Sequence, residues 1–439
     1  MFQRKLIVVL SVVALLAVTA STGHASLSRV EGMGLTNSSL SQMTDDYANI
    51  YLYPASVVRQ NNLVLAELGN NPGGDVNSVN TLDQSFTLIR NFPRLGVVSV
   101  QMSQSALNLY DASGNVNNQW FDLIWGKAFR KMDFALRYDM SNSKYEDNFN
   151  FGTPGSLKYQ GLSFIFTDPF PFGFNDDVII NSGVELNTFG ITPSVAFHMK
   201  NDNRLDLSAT FRQYNLDRTT SGAAFTPPQS FKDGGNASYA LAARYFMNKS
   251  DASQWYLAGW YVNDDLSWEV TGYTATPRTA DETYKNYGVS LANNLRVNDN
   301  NLLIYGLQVL QTKHEYTRTD NNDAVASGAT KEFTEKTTMA PVLFAGIETQ
   351  ATSWLKLRMG GTNTISQFSS DFTDFATPTG TENIKATFTS FQLSLGAGIK
   401  FNNLDIDMTL NNQFPLSGGY ILSGNQATPF DRVSATYHF

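Results

Sequence analysis

Cysteine is absent from this 439-residue chain. That excludes a disulfide framework, thiol chemistry and lipid attachment to an amino-terminal cysteine. Charge is sparse, with Asp, Glu, Lys and Arg at 16% of residues. Histidine is nearly missing too, with four in all. After Val18 no long apolar run occurs, so no helix can be expected to span a membrane. What is abundant is aromatic: 30 Phe, 19 Tyr and 6 Trp, together with 32 Gly.

The amino-terminus reads as a secretory signal. Arg4 and Lys5 precede an apolar stretch from Leu6 to Val18, and small residues follow. Gly23-His24-Ala25 is the expected cleavage site, with cutting after Ala20 as the alternative; an uncleaved helical anchor would be short for a span. Removing Arg4 and Lys5 leaves 29 basic against 39 acidic residues, a net charge of −10. That acidity argues against a nucleic-acid partner.

The periodicity is of period two throughout. Val433, Ala435, Tyr437 and Phe439 alternate with Arg432, Ser434, Thr436 and His438. Leu205, Leu207, Ala209 and Phe211 alternate with Arg204, Asp206, Ser208, Thr210 and Arg212. Similar alternation puts Arg137 and Asp139, Arg244, and Asp405 and Asp407 opposite apolar neighbours. Successive side chains of an extended strand face opposite sides, so these are two-faced strands. A closed β-barrel needs only every second residue apolar to face lipid, which reconciles a membrane protein with low hydropathy. The chain ends on a strand and an aromatic residue, Phe439, with no tail. That ending resembles the last strand of bacterial outer-membrane barrels, read by the barrel-assembly machinery.

Connections alternate in length. Short polar turns are expected near 200–203, 298–301, 349–353 and 402–403. Longer links are expected near 217–234, 275–281, 320–329, 371–382 and 412–429. Short turns belong to the periplasmic side and longer loops to the outside. Counting back from Phe439 gives sixteen strands from about Asn62, or fourteen if Leu63 to Phe92 belongs to a plug. The expected fold class is all-β, a transmembrane antiparallel outer-membrane β-barrel with an amino-terminal plug or hatch. The expected divisions are 1–25 (signal), 26–61 (hatch) and 62–439 (barrel), in the outer membrane of a Gram-negative bacterium.

Residues 28–55 do not alternate. They contain Gly32-Met33-Gly34, Asp45-Asp46, Ala48, Tyr51, Tyr53 and Pro54-Ala55. Glycine permits backbone angles closed to β-branched residues, and proline stops a ladder, so an irregular segment is expected here. The segment resembles the opening of the FadL-type outer-membrane transporters. It departs from them at Leu35, Tyr53 and Ser56, where that family has Gly, Asn and Gly. The resemblance implies a hatch folded into the barrel, with Gly32, Met33, Gly34, Asp45, Asp46, Tyr51, Tyr53 and Pro54 as gating residues. It also implies passage of long-chain fatty acids or other hydrophobic compounds. A secretion-associated branch shares the opening without that cargo, and a periplasmic tail is the plain alternative for the segment.

Three further features bear on cargo. Inward Arg204, Arg212 and Arg244 can hold a cargo carboxylate by paired donors, or pair with wall carboxylates instead. The run Phe164, Phe166, Phe170, Phe172 and Phe174 is broken by Pro169 and Pro171. It is expected outside, either as an apolar capture loop or packed on the rim. Pro193 and Pro341 lie inside good strands, where each removes a ladder donor. They mark either a wall kink for sideways exit of cargo or a bulge near the rim.

Nothing points to catalysis. His198, His314 and His438 show no metal-ligand spacing, there is no Gly-x-Ser-x-Gly elbow, and Asp320 to Asp323 lacks the spacing of a calcium loop. No enzyme activity, catalytic residue, metal or cofactor is expected. The partners implied are outer-membrane lipid and a small hydrophobic ligand. The sequence thus points to a gated channel for passive uptake of small hydrophobic molecules. A water-filled porin for polar solutes and a secretion partner are the rivals.

Overall fold

The computed structural model describes residues 26–35, 38–60, 62–70, 82–108, 115–147, 157–158, 169–170, 181–222, 225–233, 237–265, 268–271, 278–320, 329–373, 381–410 and 430–439. The signal at 1–25 lies outside the described residues.

The strands are β1 (Leu63–Asn70), β2 (Leu82–Phe92), β3 (Gly96–Asn108), β4 (Asn115–Phe129), β5 (Met132–Asp147), the two-residue pair β6 (Leu157–Lys158) and β7 (Pro169–Phe170), β8 (Asn181–His198), β9 (Arg204–Gly222) and β10 (Phe225–Asp233). They continue as β11 (Ala237–Ser250), β12 (Ser253–Asp265), β13 (Trp268–Thr271), β14 (Arg278–Asn298), β15 (Asn301–Asp320), β16 (Ala329–Gln350), β17 (Leu355–Thr373), β18 (Thr381–Phe401), β19 (Leu404–Leu410) and β20 (Phe430–His438).

Every pairing is antiparallel, and β1 pairs with β20 (Leu63 opposite His438, Gly69 opposite Arg432), which closes the ring. The strand β10 runs on toward β11 and β12 runs on toward β13; β10 pairs with β9 and β13, and β11 with β9 and β12. Each of these two successions is one stave, so the barrel has sixteen. The hairpin Leu63 to Phe92 is therefore wall, not plug, and the expectation of fourteen strands does not hold.

Burial follows the alternation. On β9 Asp206, Ser208, Thr210 and Arg212 are buried, while Phe211 is exposed. On β18 Ser394 is buried and Leu393 exposed. An apolar outside and a polar inside identify a membrane-spanning barrel. Short turns at 93–95, 130–131, 199–203, 251–252, 299–300, 351–354 and 402–403 cluster at one end with Asn62 and Phe439, whose backbones bond at 3.0 Å. No helix among the described residues is long and apolar enough to cross a membrane, which says nothing of strands.

The expected long link at 217–234 is largely strand. Here β9 runs to Gly222 and β10 begins at Phe225, with a register shift between Phe225 and Gln229. Pro227 and Pro228 lie at that shift, so their missing donors fall where the ladder is already irregular. Strands β14 to β18 are 19 to 22 residues long. A tilted strand needs only about 9–11 residues to cross a bilayer, so these staves continue well beyond it on the loop side.

Candidate functional site in the lumen

Residues 26–60 form short irregular pieces: α1 (Leu27–Gly32), α2 (Ser38–Ser41) and 3-10 turns at Tyr47–Asn49 and Pro54–Arg59. Ser26 caps α1 by accepting the Arg29 N–H, and Pro54 opens the last turn, where its missing donor costs nothing. This segment meets inward-facing residues all round the wall.

Its turn Gly32-Met33-Gly34 seats on wall glycines. A Cβ at Gly360 would lie 1.8 Å from the Met33 carbonyl oxygen, and one at Gly346 would lie 2.3 Å from it. Gly34 has φ +79°, and a Cβ there would meet the Gly361 nitrogen at 2.7 Å. Thr362 Oγ1 donates to the Gly34 carbonyl at 2.7 Å. The reason for glycine in the motif is thus close backbone approach as well as the positive φ.

Polar contacts ring the rest. Arg29 donates twice to Glu348 (2.6 and 3.0 Å) and once to Asp46 (2.9 Å). Arg358 donates to the same Glu348 at 2.7 Å. Asp407 accepts from Ser26 (3.0 Å), and Thr409 donates to the Ser28 carbonyl (2.8 Å). Asp45 accepts from Arg204 (2.7 Å), Arg59 (3.1 Å) and Arg244 (3.4 Å). Desolvation opposes the charge on Asp45, but the three guanidinium groups outweigh it and hold its carboxyl well below the usual range. For Asp46 burial prevails over Arg29 and raises the carboxyl.

Apolar contacts fill the gaps. Met33, Leu40 and Met43 cluster with Phe246, Tyr256, Ile304 and Phe344. Tyr47, Ile50 and Tyr51 cluster with Leu63, Ile89 and Ile124. Tyr53 joins Ala242, Trp260 and Leu310, its hydroxyl donating to Gln42 at 2.9 Å.

The expected cargo-holding arginines are engaged with carboxylates. Arg204 pairs with Asp206 (2.8 Å) and Asp45. Arg212 pairs with Asp139 (2.5 Å) and Arg244 with Asp206 (2.7 Å). Arg212 and Arg244 are each only 1% exposed. Phe164, Phe166, Phe172 and Phe174 lie outside the described residues; of Phe170 only the backbone pairing with Leu157 is described.

The two prolines differ. Pro341 sits at a one-residue bulge, with the ladder shifting between Gln308 and Leu310 on β15 and between Met339 and Val342 on β16. Pro193 keeps its place opposite Leu136 on β5, but toward β9 the ladder stops at Ile191–Phe211 and resumes at Ser194–Ser208. Beside that gap a groove of about 590 Å³ is lined by Phe134, Val195, Leu207, Leu241 and Tyr261 on the lipid face and reaches Trp260. Trp260 turns inward, bonds Asn286 at 2.7 Å and shares the cluster of Tyr53.

A further feature lies in the half of the lumen away from the short turns. Phe388 and Ile384 on β18 share the inward face with buried Ser394, yet are 57% and 49% exposed. Ala386 lies between them, opposite inward Phe368 of β17. Across the same side, Tyr284 and His314 stack with centroids 4.0 Å apart. Ile384, Ala386 and Phe388 are out of phase with the apolar Phe391, Leu393 and Leu395 of the same strand, with no bulge between them, and that phase change is the sequence signal that marks them as lumenal.

No protein-family profile matches the chain, and no curated protein matches it in sequence. Solved structures of similar fold do exist. A FadL homologue of Pseudomonas aeruginosa is 10% identical, with a TM-score of 0.47 over 90% of this chain and 94% of that one. The CymD monoaromatic hydrocarbon channel is 10% identical, with a TM-score of 0.35 over 93% and 96%. The ferric yersiniabactin receptor FyuA of Yersinia pestis is 10% identical, with a TM-score of 0.36 over 86% and 80%. At such identities the likeness is one of fold alone.

Proposed function

We propose that the chain is an outer-membrane channel for passive uptake of small hydrophobic molecules, such as long-chain fatty acids or hydrocarbons, with residues 26–61 as its hatch. The observation that carries this reading is the exposed apolar patch on the lumen face at Phe388 and Ile384. Exposed large apolar side chains inside a polar channel are unfavourable unless a ligand covers them. A porin lumen for polar solutes needs no such patch, and the inner segment occupies the space its water would fill. The segment's contacts with the whole wall support a gate that opens by local rearrangement.

The test is uptake of labelled long-chain fatty acid by a carrier-deficient strain expressing the chain. Uptake above the empty-vector level is expected, together with little steady ion current in planar bilayers. A large stable current without uptake would favour the porin. Capture of a secreted protein without uptake would favour the secretion-associated reading. Phe388→Ser with Ile384→Ser removes two apolar surfaces, each worth about 1.5–3 kcal/mol when covered. Uptake at low ligand concentration is expected to fall at least tenfold, with unchanged heat stability of the barrel. Unchanged uptake would move the capture site elsewhere.

Exit is assigned to the gap beside Pro193, from which apolar cargo would enter the bilayer without crossing water. Pro193→Val restores a donor toward β9 and one hydrogen bond of about 1 kcal/mol. A several-fold loss of uptake with wild-type or greater thermal stability is expected. Normal transport by this variant would rule the gap out as the exit.

A further inference from the structure

The lipid-facing side of the long staves carries a second pattern. Lys285 of β14 stands directly opposite Lys313 of β15, which stands opposite Lys336 of β16. Lys336 stands opposite Ser369 of β17, and Ser369 opposite Lys385 of β18. Five adjacent staves thus carry four lysines in one hydrogen-bonding row. Parity puts all of them on the outer face. Lys285 lies two residues beyond Tyr287, Lys313 four beyond Val309, and Lys385 six beyond Phe391. Those three markers are exposed apolar residues of the lipid-facing band, at 39%, 39% and 69%. Tyr287 is the end of an aromatic row with Tyr261 and Tyr239, stacked at 6.3 and 6.0 Å. Aromatic rows of this kind mark the bilayer interface. The lysines therefore begin at the headgroup level and climb outward from it, as a row perpendicular to tilted strands must.

Like charges directly opposite on neighbouring strands are destabilising. Folding by itself gives no reason to place three lysines so. Glu315 accepts from Lys285 at 3.1 Å and Lys313 at 2.6 Å, which relieves that end of the row. Lys336 and Lys385 form no ion pair with a described residue. Asp371, another carboxylate on this face, bonds Asn383, and Asp281 lies on the same face four residues beyond Lys285. The row spans four strand spacings, about 19 Å. That is the width of a large headgroup with several separated anionic groups, not of one phosphate.

We propose that Lys285, Lys313, Lys336 and Lys385 form a binding site for the phosphorylated glycolipid of the outer leaflet, lipopolysaccharide. Its acyl chains lie along the apolar band, and its phosphates and core carboxylates lie along the rising row. Juxtamembrane basic clusters hold anionic lipid in this way, each lysine adding about a fivefold factor in affinity. The site is on the opposite face of the wall from the lumen, so it does not depend on the nature of the cargo.

The experiment titrates the full mature chain, in neutral detergent, with purified rough-type lipopolysaccharide. Parallel arms use phosphatidylglycerol and inorganic phosphate, with intrinsic fluorescence and the unfolding midpoint as readouts. Wild type is expected to bind lipopolysaccharide more tightly than phosphatidylglycerol and to ignore millimolar phosphate. Lys336→Gln with Lys385→Gln leaves the Glu315 pairs intact and is expected to weaken lipopolysaccharide binding about tenfold or more. Should that double variant fail to fold, Lys385→Gln alone, at an exposed position, is expected to weaken it by about fivefold. Unchanged affinity in whichever variant folds would overturn the site. So would equal binding of phosphatidylglycerol, which would make it a general anionic-lipid surface, or saturation by phosphate alone.

Discussion

Gly360→Val is expected to convert a nearly silent barrel into one that passes a steady ion current. The wall should still close, because valine suits a strand and the ladder from Leu355 to Thr373 does not depend on that side chain. What cannot survive is the seat of the inner turn. A Cβ at this position would lie 1.8 Å from the Met33 oxygen and 2.7 Å from the Gly34 nitrogen, both backbone atoms with no rotamer to yield. Overpacking of a well-packed site costs about 1–3 kcal/mol even where side chains can move. Here the turn itself must move, and Gly32, packed with its Cα against Gly396, goes with it. Planar-bilayer conductance is the measurement, with Met359→Leu, on the lipid face of the same strand, as control. A silent Gly360→Val barrel with wild-type uptake would mean that the turn does not close the lumen.

Arg29→Ala should have the second-largest effect. Arg29 links the inner segment to the wall through Glu348 and to the segment's own second half through Asp46. Both carboxylates are nearly inaccessible, so removing the cation leaves charge buried. Removing one partner of a buried pair costs about 3–5 kcal/mol, more than the pair itself contributes. Arg358 still holds Glu348, which limits the loss on the wall side. The expected outcome is a lower unfolding midpoint and frequent brief openings in single-channel records. Pairing Arg29→Ala with Glu348→Ala in a double-mutant cycle should show a coupling of about 0.5–3 kcal/mol. Additive effects would mean that the contact is incidental.

These two experiments probe an arrangement the sequence disclosed only in part. Gly32-Met33-Gly34 and Pro54 signalled irregular backbone, because glycine and proline act on their own residue's dihedral angles. The partners Gly346, Gly360 and Gly396 lie more than three hundred residues away, and nothing local distinguishes them from other strand glycines. Arg244 shows the same limit. Alternation placed it inward, but whether it would meet cargo or a carboxylate depended on Asp206 and Asp45 arriving beside it. The link expected at 217–234 forms strand on both sides of 223–224, although it contains Pro227 and Pro228. Their tolerance comes from the ladder shift beside them, which only pairing defines.

By itself the sequence determined the antiparallel wall, the end at which its short turns gather and which side chains face outward. Period-two alternation and the lengths of connections are properties of neighbouring residues, and a one-residue slip would invert every face. Tertiary structure decided the rest: the seat of the Gly32–Gly34 turn, the ladder gap beside Pro193, the bare aromatic patch at Phe388 and the lysine row across β14 to β18. The first joins segments more than three hundred residues apart, and the others depend on how neighbouring staves pair. Register is set by the closing of the whole ring, and no single segment of sequence carries it.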